Sequence, residues 1–121
     1  MTQGYARGGF DVDCARFSVR EDVLRHILEE AKIEVKSDRQ CCKTGNVYIE
    51  YSQTSGPSGI STTEADYWAI EFGDGCFVLM PTDRLRDLVR EAHKKFGTTR
   101  GGDFNKQKGV LVPWDWLRKE M

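Results

Sequence analysis

Residues 32–53, KIEVKSDRQCCKTGNVYIEYSQ, decide how this chain is read. β-Branched and aromatic residues alternate with polar ones over 32–37 and again over 46–53, the period-two pattern of two strands. In the first, Ile33 and Val35 share the core face and Glu34 and Lys36 the polar one; in the second, Val47, Ile49 and Tyr51 oppose Tyr48, Glu50 and Ser52. Residues 38–45 carry turn chemistry, so the two strands are expected to pair as a hairpin. A turn centred near residue 42 sets Glu34 opposite Glu50, with Cβ atoms about 5 Å apart.

Working outward, residues 1–9 are Gly-rich and polar and are expected to be flexible. Phe10, Val12 and Cys14 alternate with Asp11 and Asp13, a short strand or extended arm. Ser18-x-x-Glu21 has capping-box spacing and opens a helix over about 19–31, with Val23, Leu24, Ile27, Leu28 and Ala31 on one face. On the other side, 55–59 (SGPSG) is a loop. Residues 66–72 and 76–80 are apolar strands joined by Gly73-Asp74-Gly75 as a second hairpin. Thr82 is the expected N-cap of a helix over 83–95, whose apolar face is Leu85, Leu88, Val89, Ala92 and Phe96, and Gly97 stops it. A short strand over 110–112 and a last short helix from Pro113-Trp114 with Leu117 complete the order. Helix, four strands, helix, strand predicts an α/β (α+β) fold: one domain over 1–121 with a central mixed sheet flanked by helices.

Composition sets limits on function. With 121 residues, 39% hydrophobic and 31% charged, the chain is globular and neither a disordered tail nor a rod. Net charge is −1, so a polyanion-binding surface must come from local segregation of Lys and Arg. That segregation is present: residues 82–108 hold eight Lys and Arg against four acids, and Lys94, Lys95, Arg100, Lys106 and Lys108 are the candidate phosphate contacts. Gly101 and Gly102 in the loop Arg100-Gly-Gly-Asp-Phe-Asn-Lys106 permit close approach of a phosphate to the backbone. Neither Walker spacing nor a Rossmann fingerprint occurs, so no nucleotide cofactor is expected. No apolar run approaches the roughly 20 residues of a membrane span, and residues 1–9 offer no signal peptide, which points to a cytoplasmic protein without membrane partners. Cys14, Cys41, Cys42 and Cys76 form no CxxC pair and are expected to be reduced thiols that ligate no metal.

Opposed carboxylates destabilise a sheet unless a cation compensates, and Glu34, Glu50 and Lys36 on one face invite Mg²⁺ or Mn²⁺. The plainer reading is a solvated polar face on which Lys36 pairs with Glu34 or Glu50. Glu34-x-Lys36, Glu50 on the next strand and Glu21 in the first helix resemble the PD-(D/E)xK nuclease superfamily. The wider string, Ile33 to Asp38, Thr44 to Tyr51 and Pro57 to Trp68, resembles its small phage and prophage members, which include resolvase-like proteins. The resemblance spans about residues 18–113. It implies a restriction-endonuclease-like core and a Mg²⁺- or Mn²⁺-dependent endonuclease hydrolysing DNA phosphodiesters. Glu34, Glu50 and Asp38 would be metal ligands, Lys36 the catalytic lysine and Glu21 a helix-borne acid. The usual strand bearing an earlier acid has no room before Glu34. Either Glu34 replaces that acid, or Asp11, Asp13 or Asp22 supplies it; Glu21 is equally explained as the capping-box partner of Ser18. Double-stranded or branched DNA is the implied substrate, and cutting both strands implies a homodimer. Two alternatives stand beside the enzyme. One is a non-catalytic nucleic-acid-binding module; the other is a phage accessory protein that binds a host protein, with Trp114, Trp116 and Leu117 as its anchor.

Overall fold

In a computed structural model the described residues are 20–37, 41–72 and 75–121. The expected flexible 1–9 segment, the extended arm at 10–14, Ser18 of the capping box, Asp38 and the Gly73-Asp74 turn lie outside them. The chain divides into two compact units, Met1–Ala31 and Lys32–Met121.

In the first unit, residues 20–29 are helical (α1). The backbone N–H groups of Glu30 and Ala31 both bond to the His26 carbonyl and close the helix. Of the apolar stripe read from the sequence only Ile27 is buried; Val23, Leu24 and Leu28 are exposed.

The second unit holds seven described strands and three described helices: β1 (Ile33–Ser37), α2 (Cys41–Thr44), β2 (Asn46–Gln53), β3 (Gly56–Pro57), β4 (Tyr67–Glu71), β5 (Phe77–Pro81), α3 (Thr82–Phe96), β6 (Thr99–Gly101), β7 (Gln107–Pro113) and α4 (Trp114–Glu120). The α+β class is as read from the sequence, but the strands are divided between two sheets. One is mixed, in the order β1-β4-β5; the other is antiparallel, in the order β3-β2-β7-β6.

This division corrects the central hairpin. β1 and β2 do not pair: β1 runs parallel to β4, and β2 runs antiparallel to β7. The physical reason lies in the connection. It contains a helical turn, α2, and then Gly45 at φ 74°, whose carbonyl accepts the Trp114 N–H, so the chain is led to the start of α4 and into the other sheet. There the apolar β7 covers β2 along its whole length, which a five-residue β1 cannot do.

The parity of β1 is corrected as well. Glu34 stands beside Trp68 and Lys36 beside Ile70, and registered neighbours share a face. Trp68 and Ile70 are buried, so the polar pair occupies the edge of the core-facing side. Ile33 and Val35 turn the other way, 36% and 61% exposed, beside Tyr67 and Ala69 of β4 and Leu79 and Phe77 of β5.

The core is organised by α3. Leu85, Leu88, Val89 and Ala92 recur at helical spacing and are buried against Val47 and Ile49 of β2, Val110 and Val112 of β7, and Trp68, Ile70 and Met80 of the mixed sheet. Each of the larger aliphatic side chains among them contributes about 1.5–3 kcal/mol by leaving water. Thr82 is the first residue of the helix; its hydroxyl donates to the Ala65 carbonyl at 2.7 Å, tying the helix to the segment before β4 instead of capping it. Gly97, at φ 78°, ends the helix with its N–H on the His93 carbonyl. The short closing helix is present as expected: Leu117 of α4 is buried, Trp114 stacks on Phe72 and Trp116 meets Phe96 edge-on.

Candidate nucleic-acid interface

The acids read as a metal site are not brought together on neighbouring strands. Glu34 and Lys36 sit on β1 in one sheet, and Glu50 sits on β2 in the other, registered with Gly109 of β7. Neither Glu34 nor Lys36 has an ion-pair partner among the described residues. Glu50 instead serves the fold, since its carboxylate accepts the hydroxyl of the buried Ser58 at 2.5 Å. The Ser58 N–H bonds to the Tyr51 carbonyl, and Gly59 (φ 56°) lies against the Glu50 backbone so closely that a Cβ would overlap the Glu50 carbonyl oxygen. These contacts pin the turn 58–61 onto β2. Glu21 is an exposed residue of α1, Asp22 lies 3.6 Å from Arg25, and Asp11, Asp13 and Asp38 are outside the described residues. Among the described residues no group of three His, Cys, Asp or Glu side chains is placed to hold a metal ion.

The basic residues do converge in part. The strand read over 110–112 is the end of a longer β7, whose start pairs with β6 in a stretch that reads as polar loop; this hairpin sets Arg100 directly opposite Lys108. Like charges at that spacing repel, and neither side chain has an acidic partner among the described residues. Lys106 follows the tip, its Nζ 5.5 Å from the centre of the Phe104 ring. Phe104 itself is 89% exposed, at φ 58°, and Asn105 follows at φ 54°. A left-handed backbone costs a residue with a Cβ about 1–2 kcal/mol, and an exposed cation–π contact of about 0.5–1 kcal/mol offsets it only in part. The hairpin thus holds an apolar ring out in solvent, with Lys106 over it and Arg100 and Lys108 paired on the strands that lead to it.

The two glycines of this loop have a different role from the one read in the sequence. A Cβ on Gly101 would come 2.8 Å from Cζ of Tyr48, and one on Gly102 (φ 69°) would meet the Gln107 side chain at 2.5 Å. They let β6 close over Tyr48 instead of receiving a phosphate. Tyr48 is pressed between Gly101 and Gly109, and its phenol is raised above the ordinary tyrosine range, first by burial and then by the charges of Glu50 and Tyr51.

Lys94 and Lys95 close α3. Lys95 lies over the Phe96 ring at 5.7 Å, whereas Lys94 borders a cleft of about 400 Å³ between α3 and the turn 58–61. Val89 and Ile60 form its apolar floor. Tyr51 and His93 meet edge to face on one side, and both donate to or accept from the Thr98 hydroxyl, at 2.7 and 2.9 Å. Sequence pattern does not reveal this cluster because its members are distant in the chain: Tyr51 lies on β2, His93 near the end of α3 and Thr98 just beyond it. Arg86 closes one end, with its guanidinium bonded to the Ile60 and Thr63 carbonyls and to Asp83.

The chain was compared with protein-family models, with curated proteins and with solved structures. None of them matches. The likeness to PD-(D/E)xK nucleases therefore rests on the residues quoted for it alone. No helix among the described residues is long and apolar enough to cross a membrane.

Proposed function

We propose that this chain is a nucleic-acid-binding module that grips unstacked nucleotides, in a single strand or at the open centre of a branched duplex, with its β6–β7 hairpin. The observation that carries the reading is Phe104, an exposed ring at the tip of a hairpin whose flanks are Arg100, Lys106 and Lys108. Bases stack on an aromatic face whatever their sequence, and cations beside it track the phosphates. A strand on the hairpin also relieves the repulsion between Arg100 and Lys108 and covers the ring from water. The chain as a whole carries a net charge of −1, so binding is local and not driven by the whole molecule's field.

Cleavage of DNA by a Mg²⁺- or Mn²⁺-dependent site at Glu34, Lys36 and Glu50 is the weaker proposal, since the facing of Glu34 and Glu50 that favoured it does not form. One experiment serves both. Fluorescence anisotropy of a labelled single-stranded and a branched DNA is followed with the wild type and with Arg100→Glu/Lys108→Glu, in Mg²⁺, Mn²⁺ and EDTA, and the products are run on a denaturing gel. Binding that survives EDTA, weakens with salt and is lost in the double variant, with no cutting, supports the module. Equal binding by both proteins refutes it; metal-dependent cutting abolished by Lys36→Ala restores the endonuclease.

A further inference from the structure

We infer that the cleft between α3 and the turn 58–61 is a second site, which takes a nucleotide bearing a phosphomonoester. The source of that nucleotide is either the phosphorylated end of a strand lying on the hairpin or a free mononucleotide. The terminal-nucleotide form rests on the hairpin reading; the free form does not.

The chemistry of the walls selects the ligand. Ile60 and Val89 offer an apolar floor, and the Tyr51 and His93 rings stand at an angle beside it, which suits a flat, largely apolar body such as a base. The cations are on the α3 side. Lys94 has no ion-pair partner among the described residues, and Arg90 engages Asp87 through Nη1 alone, at 2.9 Å. Two cations one helical turn apart match a dianionic monoester better than the single charge of a bridging phosphodiester. The Ser61 hydroxyl, on the opposite wall, is available to a sugar hydroxyl as an acceptor, because its own proton is given to the Tyr51 carbonyl at 2.8 Å. A volume of about 400 Å³ lies at the lower end of small-molecule sites and admits one nucleotide, not two.

Continuity with the hairpin comes from Thr98. Its hydroxyl joins His93 to Tyr51 at the cleft, and the next residue begins β6. Arg100 is therefore two residues, about 7 Å of extended chain, from the cleft wall.

The test uses the full chain labelled with ¹⁵N, and anisotropy with dT oligonucleotides carrying a 5′-phosphate, a 3′-phosphate or neither. The expected result is tighter binding, by about tenfold or more, of one phosphorylated form. That gain should vanish in Lys94→Glu and in Ser61→Trp, which fills the cleft from an exposed position, both checked for folding by circular dichroism. Thymidine 5′-monophosphate should shift the amides of Tyr51, Ser61 and His93, in the wild type and in the hairpin variant Phe104→Ala alike. Shifts from the mononucleotide without any preference among oligonucleotides support the free ligand and refute the terminal one. Equal binding of all three oligonucleotides with no mononucleotide shifts overturns the cleft while leaving the hairpin standing. Inorganic phosphate acting as strongly as the mononucleotide also overturns it, since the walls would then read charge alone.

Discussion

Arg86 links α3 to the turn that carries Ile60, and its removal should be felt throughout the second unit. Nε donates to the Ile60 carbonyl at 3.0 Å and Nη2 to the Thr63 carbonyl at 2.8 Å, both in partly buried surroundings. Hydrogen bonds from a charged donor contribute about 1.5–3 kcal/mol each, and the carbonyls left behind would lack a partner. The third arm, to Asp83, adds little, because that carboxylate is 92% exposed. Arg86→Met keeps most of the aliphatic stem and removes the fork, so it should destabilise the protein by about 3 kcal/mol. With a urea slope near 2 kcal/mol/M, the unfolding midpoint falls by about 1.5 M. Arg86→Lys should recover less than half of this, since an ammonium on a flexible stem cannot reproduce the planar fork. Urea titrations followed by tryptophan fluorescence are the assay. A midpoint within about 0.2 M of wild type for Arg86→Met would show that the turn is held by Gly59 and Ser58 alone and that the reasoning about this fork is wrong.

Other consequences follow from the same contacts. Phe104→Ala should change stability by less than about 0.5 kcal/mol, because the ring touches little, yet weaken binding of single-stranded DNA about 5- to 150-fold, the range of one lost stacking contact; anisotropy and urea melts read the two effects separately. Gly109→Ala should destabilise by about 1–3 kcal/mol by urea unfolding, as its Cβ would lie 2.6 Å from both the Ile49 carbonyl oxygen and Cζ of Tyr48, in the middle of the β2–β7 pairing. Tyr48 predicts an alkaline effect. Its folded-state pKa is raised, so its contribution is fully present below the unfolded value of about 10 and is lost as pH rises through the folded value. Stability of the wild type should therefore fall more steeply than that of Tyr48→Phe from about pH 10 up to the raised folded value, and parallel curves over that range would contradict the burial of the phenol.

Much of the local structure was legible in the chain. β2 and the end of α3 at Gly97 stand where alternation and helical spacing put them, because a period of two or of 3.6 is a local property. The partner of each strand is not local. Ile33-Glu-Val-Lys36 reads the same whether it pairs with β2 or with β4, and only the α2 turn and Gly45 send the following strand elsewhere. The inverted parity of β1 has the same origin: an edge strand whose Ile33 and Val35 face outward is not distinguishable by pattern from one in which they are buried.

The site was legible in composition and not in geometry. The excess of cations over 82–108 was visible, but part of it sits on α3 and part on the hairpin, and Arg86 within it is structural. Phe104 was invisible as a binding residue, since a lone aromatic in a Gly-rich loop carries no periodicity; its exposure and left-handed backbone give it away. Glu50 shows the reverse error. As a strand carboxylate it matched a metal ligand, whereas Ser58, eight residues on, accounts for its position.

The central claim is that the β6–β7 hairpin is where nucleic acid binds, and amide chemical-shift mapping of the ¹⁵N-labelled chain with an unphosphorylated single-stranded DNA at low salt tests it most directly. The account predicts that the largest shifts fall on residues 99–108, fade as salt is raised, and are absent in Arg100→Glu/Lys108→Glu. Shifts centred on β1 and the exposed face of the mixed sheet, or none at saturating DNA, would contradict it.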